Sequence, residues 1–115
     1  PLDRGRAMIS NVTIVIRSAG ERTIAACRRL AEQQVPHEAI HVIAERPFSR
    51  AVRKAFEVGI EANRAWTICL DADLLLLPQA VQKMVTRIES ASTQTFGVTG
   101  ATYDRFYGRP REGGP

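Results

Sequence analysis

Asp71 and Asp73 flank Ala72 at the point where the apolar run Trp66-Thr67-Ile68-Cys69-Leu70 ends. Two carboxylates at that spacing can reach a single divalent cation or its water shell, provided the backbone leaves the strand there and side-chain alternation stops. A D-x-D pattern alone is common and carries little information. Its weight here comes from its place, because open α/β sheets bind ligands in the crevice outside the carboxyl ends of their strands. The competing reading is a pair of turn acids, one of which caps the next helix.

The segments that must position these acids alternate between strand and helix. Asn11 to Arg17 is β-branched and apolar, as in a buried strand. Ser18-Ala19-Gly20 breaks it, and Glu21 to Gln34 places Ile24, Cys27, Leu30 and Ala31 at helical spacing until Pro36. Ala39 to Ala44 reads as a second strand. A second helix follows from Ser49, its N-cap, to Ala62, with Val52, Ala55, Phe56, Gly59 and Ile60 as its apolar stripe. Trp66 to Leu70 is the third strand. Pro78 opens a third helix carrying Val81, Met84, Val85 and Ile88. Phe96 to Thr102 reads as a fourth strand weakened by Gly97 and Gly100.

This order predicts an α/β fold: a three-layer α/β/α arrangement around a mostly parallel sheet, with strand one between strands two and three. Three loops then meet at one sheet edge. They carry Arg17, Ser18 and Glu21 after strand one, Glu45 and Arg46 after strand two, and Asp71 and Asp73 after strand three. Acids beside arginines suit a ligand bearing phosphates and hydroxyls with a metal between them. Taken singly, Arg17, Glu45 and Arg46 also fit ordinary solvated loop charge. The expected core is Ile14, Ile16, Ile24, Cys27, Leu30, Val42, Val52, Phe56, Ile68, Leu70, Val81, Val85 and Ile88.

The segments NVTIVIRSAGERT and HEAIHVIAERPFSRAVRKAFEVGIEANRAWTICLDADLLLLPQAVQKMV resemble the nucleotide-binding half of family 2 glycosyltransferases, the Rossmann-like GT-A fold. The likeness runs from Asn11 to Ser90 by order of elements, and Leu70-Asp71-Ala72-Asp73 with its Pro-led amphipathic helix is its most specific part. It implies transfer of a sugar from a nucleotide-diphosphate sugar to an acceptor that is a glycan, lipid or protein. Asp71 and Asp73 would hold Mg2+ or Mn2+ bridging the diphosphate, and Asp71 would also touch the ribose. Arg17, Ser18 and Glu21 would cradle the base, with Glu45 and Arg46 beside base or ribose. Departures from the family pattern are Arg17-Ser18-Ala19-Gly20 for its Pro-Thr-x-Asn-like turn, Ala44-Glu45-Arg46-Pro47 for its Asp-Asp-Gly-Ser, and aliphatic Leu74 to Leu77 after D-x-D. Asp104 lies too close behind D-x-D for the family's acceptor-side base, which is expected beyond residue 115.

Rival classes use the same residues differently. A haloacid-dehalogenase-like phosphatase places D-x-D on its first core strand, whereas two strands precede it here. A phosphoacceptor receiver domain needs acids after strand one, where Arg17 and Ser18 stand. A non-catalytic nucleotide-binding or scaffold α/β domain would use D-A-D as a helix cap.

Composition narrows the field further. Sixteen basic against twelve acidic residues give a net +4, and fourteen of the sixteen are Arg. These charges are interleaved rather than gathered into a stripe, which argues against a nucleic-acid partner. Cys27 and Cys69 lie at apolar positions without metal or disulfide spacing. His37 and His41 lack spaced partners and read as surface and strand residues. No membrane-length apolar run or signal peptide is visible. The reading is a cytoplasmic domain, peripheral to the inner face of a membrane only through parts outside this sequence. Residues 1–10 read as an extension, 11–107 as a truncated GT-A-like domain lacking its acceptor half, and 108–115 as a cut loop.

Overall fold

The β-branched run after Asn11 forms β1 (Val12–Arg17), in which Val12 to Ile16 are all fully buried. A strand buried at successive positions is covered on both faces, the condition of a central strand in a parallel sheet. β2 (Ile40–Ile43) and β3 (Trp66–Asp71) pair with it on either side, both parallel, in the order β2-β1-β3. The register sets Ile14 opposite Ile40 and Ile68, and Arg17 opposite Ile43 and Asp71. The expected central position of strand one is therefore observed. This is an α/β domain with an open, all-parallel sheet of three strands. The computed structural model describes residues 8–91 and, by backbone alone, the strands Thr102–Asp104 and Arg109–Arg111.

The helices are α1 (Ile24–Glu32), α2 (Phe48–Ala62) and α3 (Ala80–Glu89). Each starts away from its expected position for a local reason. α1 begins at Ile24 because the Glu21 side chain turns back to the Ala19 N–H, at 2.6 Å, instead of entering the helix. α2 begins at Phe48, and the Arg50 and Ala51 N–H groups donate to the Pro47 carbonyl at 2.9 and 3.1 Å. Pro47 is thus the N-cap and Ser49 lies inside the helix, a correction to its expected capping role. α3 begins at Ala80 rather than Pro78 because Gln79 takes a left-handed backbone, φ 65°, between them. At the other end of α2, Asn63 at φ 57° closes the helix, its N–H donating to Gly59 and Ile60 carbonyls. Asn is one of the few side chains that tolerates that conformation.

The core follows the expected pattern on β1 and β3 and departs from it at Val42 on β2 and along α2. Ile14, Ile16, Cys27, Ile68, Leu70, Val81 and Val85 are buried, whereas Ile24, Leu30, Val52 and Ile88 are half-buried. Val42 and Phe56 were expected inside and are exposed, 39% and 63% respectively. The buried face of α2 is instead Ala51, Ala55 and Gly59. Ala55 and half-buried Val58 pack with Val15 and Ile43. A Cβ added at Gly59 would collide with the Thr67 hydroxyl. Small residues let the helix lie close to the sheet, and that approach leaves no room for Phe56 on the inner face.

The chain divides into two units, Pro1–Val81 and Gln82–Pro115, with the boundary inside α3. In the second unit β4 (Thr102–Asp104) and β5 (Arg109–Arg111) pair antiparallel, with Tyr103 opposite Pro110. Residues 96–101 of the expected fourth strand lie outside the described residues, and Thr102 is the first residue of β4. Arg109–Arg111 forms a strand within the segment expected to be a loop. Among the described residues no helix is long and apolar enough to cross a membrane.

Candidate functional site

Asp71 is the last residue of β3 and stands beside Arg17, the last residue of β1. Being adjacent in register, they project on the same side of the sheet. Arg17 Nη2 lies 2.7 Å from Asp71 Oδ1, an ion pair with the aspartate side chain about half exposed (52%) and the arginine largely covered (20%). The ladder continues one step further, since the Ala72 N–H donates to the Arg17 carbonyl at 2.9 Å. The chain then turns, with the Leu74 N–H donating to the Asp71 carbonyl at 3.0 Å. Ala72 is fully buried, and Asp71 and Asp73 are exposed on either side of it. The expected break in alternation is not seen: the exposed–buried alternation of β3 continues through Ala72, and it is this that presents both carboxylates on one exposed side.

The loop after β1 is built around Glu21. Its Oε1 accepts the Ala19 N–H at 2.6 Å and the Ser18 hydroxyl at 3.4 Å, while Ser18 Oγ accepts the Gly20 N–H at 3.1 Å. Gly20 has φ 92°, a conformation open to glycine and costly for other residues. The Ser18 N–H donates to the Ile43 carbonyl at 2.8 Å, fixing this loop to the end of β2. Arg46, from the loop after β2, donates through Nη2 to the Ala19 carbonyl at 3.3 Å. Arg17, Ser18, Glu21, Arg46 and Asp71 are thereby joined through one continuous set of contacts. Glu45 is not brought into it; it is exposed and pairs with no other described residue.

Two positioning residues were not foreseen from the sequence. The Thr23 hydroxyl does not cap α1 but donates to the Ala72 carbonyl at 2.7 Å, tying the start of α1 to the D-x-D turn. Phe48, 69% exposed at the start of α2, places its ring centroid 4.6 Å from the Arg17 guanidinium carbon. A cation over an aromatic face is attracted by the ring quadrupole. The signal for Phe48 was its place beside Pro47 at the helix start. Nothing local marks Thr23, whose partner is 49 residues away.

The electrostatics follow these contacts. The Ala19 N–H, more than any other group, holds the Glu21 carboxyl below its ordinary range, assisted by its own backbone N–H, Ser18 and Arg46. Burial pushes the Cys27 thiol up, and the nearby carboxylates of Asp73, Asp71 and Glu21 add to the effect. Cys69, two residues before Asp71, is also raised by burial, against the opposing pull of Arg17.

As a cation site, Asp71 and Asp73 supply exposed carboxylate oxygens only, a donor set suited to hard ions such as magnesium or manganese. Among the described residues no three His, Cys, Asp or Glu side chains gather closely enough to hold a metal alone. The fit is therefore to an ion whose remaining ligands come from a substrate or water, the usual arrangement for Mg2+ with phosphates. His37 pairs with Glu32 at 2.6 Å, and His41 sits on β2 with Nε2 buried and no partner among the described residues. Neither joins the site. An open groove of about 320 Å³ lined by Phe56, Gly59, Ile60, Asn63, Arg64 and Thr67 lies at the opposite end of β3 and of α2.

Comparison with protein-family models, curated proteins and solved structures finds no match to the chain.

Proposed function

We propose that this domain binds the nucleotide-diphosphate sugar of a glycosyltransferase, with Asp71 and Asp73 holding Mg2+ or Mn2+ against the diphosphate. The reading rests on the resemblance to family 2 glycosyltransferases and on one structural observation. Asp71 ends an edge strand directly beside Arg17 on the central strand, with the Ser18–Glu21 loop and Arg46 connected to the same sheet end. In the order β2-β1-β3 the chain leaves β1 toward one side and β3 lies on the other, which is the switch point where open α/β sheets bind ligands.

A divalent cation at the two aspartates would supply Lewis-acid neutralisation of the leaving diphosphate. Arg17 at the end of β1 and Arg46 from the loop after β2 contribute fixed positive charge, and Arg is suited to bidentate contact with phosphate oxygens. The Ser18 hydroxyl and Glu21 carboxylate offer polar contacts for ribose or base. Thr23 keeps the D-x-D turn in place through the Ala72 carbonyl. The acceptor is a glycan, lipid or protein, and the domain works in the cytoplasm.

The test is isothermal titration of uridine and guanosine diphosphates with Mn2+ and with chelator. Binding is expected to require the metal and to weaken by about tenfold or more in Asp73→Asn, because a neutral amide is a poorer ligand for a hard cation. Equal affinity in chelator, or an unaffected Asp73→Asn variant, would reduce the two acids to a helix-start turn.

A further inference from the structure

Arg17 occupies one of the two oxygens with which Asp71 would hold a cation. Its guanidinium lies 2.7 Å from Asp71 Oδ1, held from the adjacent position on the central strand. The rest of that seat is incompletely satisfied. Arg17 Nε is buried with no hydrogen-bond partner among the described residues. On its other side the guanidinium faces the Phe48 ring, which attracts a cation without accepting a directed hydrogen bond from each N–H. A buried donor left unpaired is costly, so a ligand offering acceptor oxygens would draw the guanidinium away from its present seat. A divalent cation on the same carboxylate would lie close to the guanidinium, and two cations at that range repel each other.

We propose that Arg17 is the resident counter-ion of Asp71 and couples metal to diphosphate: a divalent cation gains Asp71 as the diphosphate gains Arg17. The inference rests on the reading that Asp71 and Asp73 hold the cation. Metal alone binds against the guanidinium charge and offers Arg17 no new partner, so metal alone binds weakly. A diphosphate supplies that partner, in the planar two-oxygen form that Arg matches best. Phe48, exposed and stacked on the guanidinium, keeps Arg17 near Asp71 in the absence of ligand.

The experiment is titration of Mn2+ into the whole chain, alone and with saturating uridine diphosphate, for wild type, Arg17→Gln, Phe48→Ala and Asp73→Asn. Arg17→Gln should bind Mn2+ alone about tenfold tighter or more, since a neighbouring positive charge is gone. The factor by which uridine diphosphate improves Mn2+ binding should be smaller in that variant than in wild type. Phe48→Ala removes an exposed ring and leaves every carboxylate in place. It should tighten Mn2+ alone by about twofold to fivefold, and it decides the matter if Arg17→Gln does not fold. No tightening in either variant, with Asp73→Asn still abolishing Mn2+ binding, overturns the coupling and leaves the metal site standing. Absence of Mn2+ binding in wild type and Arg17→Gln, with and without uridine diphosphate, overturns both.

Discussion

At the scale of single residues, Glu21 shows how one carboxylate sets a loop. Its pKa is depressed in the fold, chiefly by the Ala19 N–H, so its contribution is present above the unfolded value and is lost as pH falls through the folded one. The loop should therefore hold through neutral pH and loosen only at a pH below the ordinary 4.5. The Ala19 amide resonance should titrate with that lowered midpoint and stop titrating in Glu21→Gln; a midpoint at or above the ordinary value would contradict the hydrogen bond. The thiols give a second check. Cys69 is the more exposed of the two and Cys27 is buried, and desolvation, only partial at Cys69, shifts both upward from 9.0. Iodoacetamide should modify Cys69 first, more slowly than a free cysteine at mildly alkaline pH, because the thiolate is the reactive form. Prior modification of Cys27, seen by peptide mass, would refute the assignment. Asp71 and Asp73 were legible as candidates because their spacing and the strand end can be read locally. Thr23 and Phe48 were not, because each acts on a residue that only the fold brings near.

At the scale of elements, the buried faces of β1, β3, α1 and α3 were readable, whereas the phase of α2 and the exposure of Val42 on β2 were not. On α2 the residues Val52, Ala55, Phe56, Gly59 and Ile60 make a plausible stripe, and hydrophobicity alone favours the bulky members. Close approach to the sheet selects Ala51, Ala55 and Gly59 instead, and a sequence does not state how near a helix will lie. Phe56→Ala should accordingly cost well under the ~3–5 kcal/mol of a buried Phe, within about 1 kcal/mol. Denaturant melts test this, and a loss in the buried range would return Phe56 to the core. Gly59 provides the opposite case. Gly59→Ala gains about 1 kcal/mol of helix propensity but must collide with the Thr67 side chain, and overpacking costs roughly 1–3 kcal/mol. The single change is expected to destabilise. In a Thr67→Ala background the clash is relieved, and Gly59→Ala should become neutral or stabilising. Equal effects in the two backgrounds would show that Thr67 is not what restricts this position.

At the scale of the molecule, strand order was legible because β-α-β connections favour parallel neighbours, and placing strand one centrally brings three loop ends to one sheet edge. What the sequence did not reveal is how the segment following D-x-D is fastened to the rest of its unit. Gln34, just beyond α1 and only 6% exposed, supplies that link. Its Oε1 accepts the Val81 N–H at 2.8 Å and its Nε2 donates to the Leu77 carbonyl at 3.0 Å. The bond to Val81 is buried, and Val81 itself is fully covered. A helix-end glutamine is ordinarily a solvent residue, so its role depends on partners more than forty positions away. Gln34→Leu keeps similar bulk but leaves the Val81 N–H without its acceptor, which should cost about 1–3 kcal/mol. The urea midpoint should fall while the slope stays constant, the sign of a change in stability rather than in exposed surface. Because Thr23 holds Ala72 within D-x-D and Gln34 holds the segment that follows it at Leu77 and Val81, Gln34→Leu should also weaken metal-dependent diphosphate binding. That loss should be smaller than for Asp73→Asn, since both carboxylates remain. An unchanged midpoint would mean that another group takes over the Val81 N–H and that the turn is held from elsewhere.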